Sequence, residues 1–273
     1  MAIELAELWL RGMGELRYQM TDKRIRARIG ERTVVDSVRA ALVWEPRRAV
    51  PYYAVPVDDV LVPLVPAARR PRGAPGPGGP PSSHLDGFRG HTTKGEELSV
   101  RVDGSGRTLD GAAFRPADPD LAEYVVLDFD AFDSWHEEDE LLVAHARDPF
   151  TTVDTRRSSR HVVVERDGVR LADSRAPVLL FETYLPVRFY LPREDVQMDL
   201  LAESATRTVC AYKGQASYFS AVVGGSTMKD IAWTYLEPHN YATAVAGLVC
   251  FFNERVDLIV DGSMLERPRT PWS

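Results

Sequence analysis

The chain has 273 residues, enough for two domains that each bury a core of their own. Its hydrophobic share of 44% and charged share of 27% are those of a globular protein, and 33 basic against 40 acidic residues leave a net charge of −7. That balance excludes general binding to nucleic acid or to an anionic membrane, both of which need a cationic face.

The opening Met-Ala-Ile-Glu-Leu-Ala-Glu lacks the basic start and apolar core of a signal peptide. No apolar run approaches the ~20 residues that span a bilayer. Residues 3–18 space Ile3, Leu5, Leu8, Trp9, Gly12 and Leu16 at helical intervals, which predicts an amphipathic N-terminal helix within residues 1–20, its apolar stripe packed on the body. From Lys23 the pattern turns extended. Arg24-Ile-Arg-Ala-Arg-Ile29 alternates at period two, Gly30-Glu31 turns the chain, and Thr33-Val-Val resumes. The same design returns at His161-Val-Val-Val-Glu165, Asp167-Gly168 and Val169-Arg-Leu-Ala172, so the sequence carries an internal repeat.

The repeat has a readable register. Asp36-Ser37 matches Asp173-Ser174, Trp44-Glu45 matches Phe181-Glu182, and Tyr53 matches Tyr190, all at an offset of 137. Pro56 with Pro192 and Asp59-Val60 with Asp195-Val196 follow at 136. Lys94-Gly95 with Lys213-Gly214, Phe114 with Trp233, and Pro119 with Pro238 keep 119. The drop falls on the Pro/Gly-rich run from Pro66, which predicts a flexible insertion at 67–87 inside the first copy; it holds the small basic cluster Arg69-Arg70-Pro-Arg72. The boundary is expected near 140–158, giving a first copy over 21–145 and a second over 155–265.

Short extended runs separated by turn signals, such as Asp103-Gly-Ser-Gly106 and Val223-Gly-Gly-Ser226, predict a mainly β fold: two tandem domains of short antiparallel strands. A short helix is expected after Pro192, with Glu194 and Asp195 near its positive end and Val196, Leu200 and Leu201 inward. The matching place in the first copy holds Pro63 and Pro66, which would truncate such a helix.

The most unusual stretch is Thr208-Val-Cys-Ala-Tyr-Lys-Gly-Gln-Ala-Ser-Tyr218, which sets a cysteine, a lysine and two tyrosines around one glycine in an otherwise strand-like segment. Taken with Asp173-Ser174-Arg175, Glu182, Phe189-Tyr-Leu-Pro-Arg-Glu-Asp-Val196, Trp233-x-Tyr235 and Ala246-Gly-x-x-x-Phe-Phe252, it resembles the family known as domain of unknown function 427, which carries a nucleotidyltransferase-type label. The resemblance covers nearly all of residues 160–260. It implies β-tent-like domains, similar in outline to methionine-sulfoxide-reductase-like and cereblon-like modules. Some of those relatives hold zinc through paired cysteines, which this chain lacks. The first copy departs from the pattern: His91 stands for Cys210, Ser99 for Tyr218, Phe114 for Trp233 and Pro116 for Tyr235. It is expected to be a structural partner.

Each candidate site residue has a functional and a plain reading. Lys213 before Gly214 is an aimed amine that holds an anion or acts as a base or nucleophile, or else a solvated lysine at a hairpin end. Glu182 is its paired general base, or it caps a turn or pairs with arginine, as Glu45 would with Arg39. Tyr190 supplies a polar contact. Trp233 and Tyr235, on one strand face with Ile231, wall an aromatic pocket together with Tyr218, or simply pack a core. Cys210 lines that pocket or is an inert buried thiol, because residues three apart on a regular strand face opposite ways and would keep it from Lys213. Cys250, in Leu248-Val-Cys-Phe-Phe252, reads as core. Neither cysteine belongs to a Cys-x-x-Cys pair, and the six histidines show no metal spacing.

The leading expectation is a cytoplasmic small-molecule-binding β protein, in which Lys213 and Glu182 would be the catalytic pair of any enzymatic activity. Its one site lies in the second copy, and no cofactor or metal is implied. Its partner is a small-molecule ligand, with neither nucleic acid nor membrane, and a homo-oligomer is compatible with the sequence. Two alternatives stay open. A nucleotidyl or phosphoryl transferase would use Asp195, Asp199 and Glu203 on one side of the helix after Pro192 to hold magnesium. A non-catalytic tandem scaffold would recruit a partner through the insertion.

Overall fold

Alternation at period two is what the backbone builds on. Ile25, Ala27 and Ile29 are buried while Arg26 and Arg28 between them are not, which is the face pattern of a half-covered strand. A computed structural model describes residues 2–3, 5–68, 88–102, 106–223, 225–268 and 270. Most of the expected insertion (residues 69–87, with His84), the glycine turn at 103–105 and Gly224 lie outside the described residues. The chain is mainly β and divides into two compact units, Met1–Asp148 and Pro149–Ser273.

The first unit opens with helix α1 (Leu5–Gly12) and continues as β1 (Arg17–Met20), β2 (Ile25–Ile29), β3 (Arg32–Ser37), β4 (Ala41–Trp44), β5 (Tyr52–Pro56), β6 (Leu64–Pro66), β7 (Gly95–Val102), β8 (Arg107–Pro116), β9 (Tyr124–Leu127), β10 (Ser134–Glu137) and β11 (Glu140–Leu141). Its seven-stranded antiparallel sheet runs β1-β4-β5-β9-β8-β7-β6, and its four-stranded sheet runs β11-β10-β2-β3. The second unit comprises β12 (Val153–Arg157), β13 (Val162–Arg166), β14 (Val169–Ser174), β15 (Val178–Glu182), β16 (Arg188–Leu191), β17 (Leu201–Cys210), β18 (Gly214–Val223), β19 (Ser226–Tyr235), β20 (Val249–Phe251), β21 (Asp257–Val260) and β22 (Ser263–Met264). Its sheets run β12-β15-β16-β20-β19-β18-β17 and β14-β13-β21-β22. Taken strand for strand, the two units have the same topology.

In each unit one face of the long sheet packs against the short sheet. In the second, Leu179, Phe189, Phe219 and Phe251 meet Val162, Val164, Leu171 and Leu258 in one core cluster. The opposite face holds its own cluster, with Leu180, Tyr190, Trp233, Tyr235 and Cys250. The long sheet is therefore buried on both sides, and the second side carries the candidate site.

Several expectations are corrected. The N-terminal helix is only eight residues long, because Gly12 and Gly14 are poor helix formers and Arg17 already pairs with Trp44 as a strand. Ile3 and Leu8 of its apolar stripe are exposed. The short helix expected after Pro192 is present as two 3₁₀ turns, Arg193–Asp195 and Met198–Leu200, but it is too short to carry Leu201 and Glu203, which belong to β17. Tertiary pairing overrides the local signal: Val196 bridges Ala172, and Gln197 N–H donates to Leu171 O. The first unit makes the same 3₁₀ turn at Val57–Asp59, followed by a Val60–Val35 bridge.

Two repeat matches are structural links. Ser37 Oγ donates to Asp59 at 2.7 Å and Ser174 Oγ to Asp195 at 2.6 Å, while each serine oxygen accepts the backbone N–H two residues on. Another match is wrong by one residue. Leu42 faces Tyr53 across β4 and β5, whereas Val178 faces Tyr190 across β15 and β16. That slip puts Tyr53 in the inter-sheet core and Tyr190 on the other face.

Candidate functional site

The second unit's long sheet is strongly curled toward its Trp233 face. β15 and β18 lie four strand positions apart, which at ~4.8 Å per strand would separate them by about 19 Å in a flat sheet. Yet Lys213 Nζ, just ahead of β18, donates to Glu182 Oε2 at the end of β15. Both side chains are about nine-tenths buried, at 11% and 10% exposure. A lysine and a glutamate taken this far out of water are held only because each neutralises the other.

The turn that aims Lys213 is legible in its residues. Cys210 pairs with Gly214, so Ala211, Tyr212 and Lys213 form a three-residue hairpin loop. Gly214 takes φ +91°, and a Cβ there would come within 3.3 Å of Glu237 O. The next connection closes on the same point, where His239 N–H donates to Lys213 O at 3.1 Å. Because the chain turns between Cys210 and Lys213, the regular-strand objection to their sharing a region does not apply.

The aromatic members lie in one cluster, packed rather than open. Trp233 Nε1 donates to the Tyr190 hydroxyl at 3.1 Å, with the rings edge to face at 6.1 Å. Trp233 also meets Phe252 at 4.5 Å. Tyr235 is buried in the same cluster, and Tyr218, half-buried at its margin, shares a 2.8 Å hydrogen bond with Thr208 Oγ1. Burial pushes the Tyr190 and Tyr235 phenols well above their ordinary value, and Tyr218 upward as well, so all three stay protonated. Ile231 does not share this face: the left-handed Asp230 (φ 51°) kinks β19, and Ile231 packs between the sheets. Cys210 is partly exposed at the hairpin, whereas Cys250 is fully buried and its thiol is pushed up to about 12 by that burial.

Arg188 and Glu254 belong to the same face and were not singled out by the sequence reading. The Arg188 guanidinium makes two 2.8 Å hydrogen bonds to Glu254 and stands 5.5 Å from the Trp233 ring. Burial alone would raise the Glu254 carboxyl, but Arg188 and the Thr270 hydroxyl hold it below the ordinary range. The available signal was spacing: Arg188 lies two residues before Tyr190 on a strand that is otherwise apolar.

The first unit does not leave this corner empty. Glu45, at the end of β4, is buried and accepts from Thr92 N–H at 2.7 Å and Thr93 N–H at 3.3 Å, with His91 Nδ1 at 2.8 Å. Burial would raise its carboxyl, yet His91 and Thr92 hold it below the ordinary value, so it stays an acceptor and His91 Nδ1 carries the proton. His91 stacks on Phe114 at 3.7 Å, and its buried Nε2 meets no hydrogen-bond partner among the described residues. Asp128 lies nearby, its carboxyl pushed up to about 6 by burial. Lys94 is exposed and takes no part. It sits four residues before the bulge at Leu98, whereas Lys213 sits six before the matching bulge at Phe219, so the two Lys-Gly pairs are not equivalent. Arg39 pairs with Asp59, not Glu45.

Asp195, Asp199 and Glu203 are dispersed over two turns and a strand, with Asp195 engaged by Ser174. Among the described residues no group of three or more His, Cys, Asp or Glu is placed to hold a metal ion, and no helix is long and apolar enough to cross a membrane. Of the seven predicted site residues, only Tyr218 lines either of two surface pockets formed by described residues of the second unit.

Fold and site together define a mainly β domain whose long sheet curls over a buried ammonium–carboxylate pair and a polar-aromatic cluster. Residues 154–262, within the C-terminal unit, match the model of the family described as domain of unknown function (DUF427). No curated protein matches the chain.

Proposed function

We propose that the C-terminal unit is a small-molecule-binding domain, and that its ligand presents an anionic or carbonyl oxygen to Lys213. The observation that carries this reading is the buried Lys213–Glu182 pair beside Trp233, Tyr190 and Tyr235. An ion pair withdrawn from water stabilises a fold less than apolar residues of the same volume, so its retention at a hairpin tip calls for another reason. The ligand oxygen takes the place of Glu182 at the ammonium, and the aromatic cluster supplies flat apolar walls with hydroxyl edges. Tyr190 accepts from Trp233, which leaves its own O–H as a donor. The matching topologies support a second part of the reading: the units are tandem copies of one module. Only two cysteines in 273 residues fit a third part: the protein works in the cytoplasm with both thiols reduced.

A thermal-shift screen against small metabolites tests the site. The comparison protein is Lys213→Met/Glu182→Leu, which removes both charges and leaves no unpaired ion inside. A ligand that raises the melting temperature of the native protein and has no effect on the double variant supports the reading. Ligands that stabilise both proteins equally, or no ligand at all, overturn it.

A further inference from the structure

The same domain has an open pocket on the other side of β15 and β16, which the Lys213 site does not use. Along these strands Leu180, Glu182 and Tyr190 face the aromatic cluster, while Leu179, Phe181 and Phe189 face the opposite way. With Val187 and Leu265 they line a pocket of ≈ 340 Å³, the low end of the ~300–1,000 Å³ typical for small ligands. Phe181 and Leu265 are 40% and 39% exposed, large apolar side chains left in water on the pocket wall.

The polar lining is sparse and of both signs. Arg160 and Glu266 both line the pocket. The Arg160 Nε donates to Asp261 at 2.7 Å, which fixes the side chain and leaves its terminal N–H groups as further donors. Asn253, buried beside them, donates Nδ2 to Val187 O at 2.8 Å, so its amide is also held in place. Asp261 already offsets the Arg160 charge, so what the lining offers is not a net charge but a guanidinium edge that donates to a carboxylate and an exposed carboxylate, Glu266, that accepts from an ammonium. Their combination with an apolar interior suits a zwitterion that carries an apolar group.

We infer that this pocket binds a free apolar α-amino acid, its side chain against Phe181 and Leu265, its carboxylate at Arg160 and its ammonium at Glu266. The site is independent of the Lys213 reading, since it lies on the opposite strand face. Arg160 is half exposed, so each charge contact contributes only the modest amount of a solvated pair.

The test is an NMR titration of the full chain with L-leucine and L-phenylalanine up to about 10 mM, where a dissociation constant near 1 mM is readable. Saturable shifts are expected at the Asn253 side-chain amide and at the Phe181, Val187 and Leu265 backbone amides. N-acetyl-leucine and leucinamide, each lacking one charge, should bind about threefold or more weakly, as should leucine to Arg160→Gln. Phe181→Ser, a change at an exposed position, should abolish saturation while leaving the remaining spectrum unchanged. Absence of saturable shifts, equal binding of the two singly charged analogues, or shifts centred on Lys213 and Trp233 would each overturn the assignment.

Discussion

Replacing Lys213 by methionine keeps most of the side-chain volume and removes the ammonium, so Glu182 is left nine-tenths buried without its cation. Breaking a buried pair from one side costs ~3–5 kcal/mol, whereas exposed pairs are worth ~0–1 kcal/mol. The residual exposure of 10–11% admits some water, which places the expected loss at ~2–4 kcal/mol. Lys213→Met/Glu182→Leu should recover all but ~1 kcal/mol, because no charge is then stranded. A chain of two units has no single unfolding free energy, so the measurement is native-state hydrogen exchange at β15, β16 and β18 amides, which reports the second unit alone. If Lys213→Met costs less than ~1 kcal/mol, the pair behaves as a surface contact. If the double variant is as weak as the single one, side-chain packing rather than charge holds the corner. Either result refutes the reasoning.

Asp128 makes the first unit's stability pH-dependent. Its carboxyl, raised to about 6 in the fold, holds a proton that the unfolded chain has released, so stability falls as pH rises from ~4 to 6. Asp128→Asn should remove that slope and stabilise the unit by ~1–2 kcal/mol at pH 7, read by thermal melts across pH. Glu45 has the opposite sign: its depressed value means that stability is present above the unfolded value and is lost as acid titrates the folded carboxylate, so Glu45→Gln should flatten the acid limb of the same melts. Trp233→Phe deletes the N–H that meets Tyr190 and should cost ~1 kcal/mol beyond its packing loss, measured against Tyr190→Phe in a double-mutant cycle. Alkylation of the native protein should label Cys210 and spare Cys250 until the fold opens, as mass spectrometry of peptides would show.

The parts of the fold that the sequence disclosed are those set by neighbouring residues. Asp167-Gly168 has both residues at positive φ, 50° and 77°, as a tight hairpin turn demands, and the alternation of Arg24–Ile29 became β2. What local pattern could not disclose is register. A β-bulge changes which residues face each other without leaving a mark in composition, so Lys94-Gly95 matched Lys213-Gly214 as text while lying two residues out of place as structure. The Tyr53–Tyr190 match failed for the same kind of reason, and one residue was enough to move a ring from one face to the other. The His91 contact with Glu45 joins residues 46 apart in sequence, and nothing near either one signals the other.

The features common to both units and the features that differ separate by face. The Ser37–Asp59 and Ser174–Asp195 links, the 3₁₀ turns after β5 and β16, and the bridges beside them recur almost unchanged. All of these hold the strand connections of the frame. The differences concentrate on the curled face, where an imidazole replaces an ammonium beside the carboxylate and Phe114 replaces Trp233. Packing alone would favour apolar residues at that corner, since a stranded carboxylate there costs several kcal/mol. Yet each unit keeps a buried glutamate and supplies a different basic partner for it. A requirement for stability would be met equally well by one partner in both places, so the divergence of His91 from Lys213 points to two chemically distinct corners on one frame.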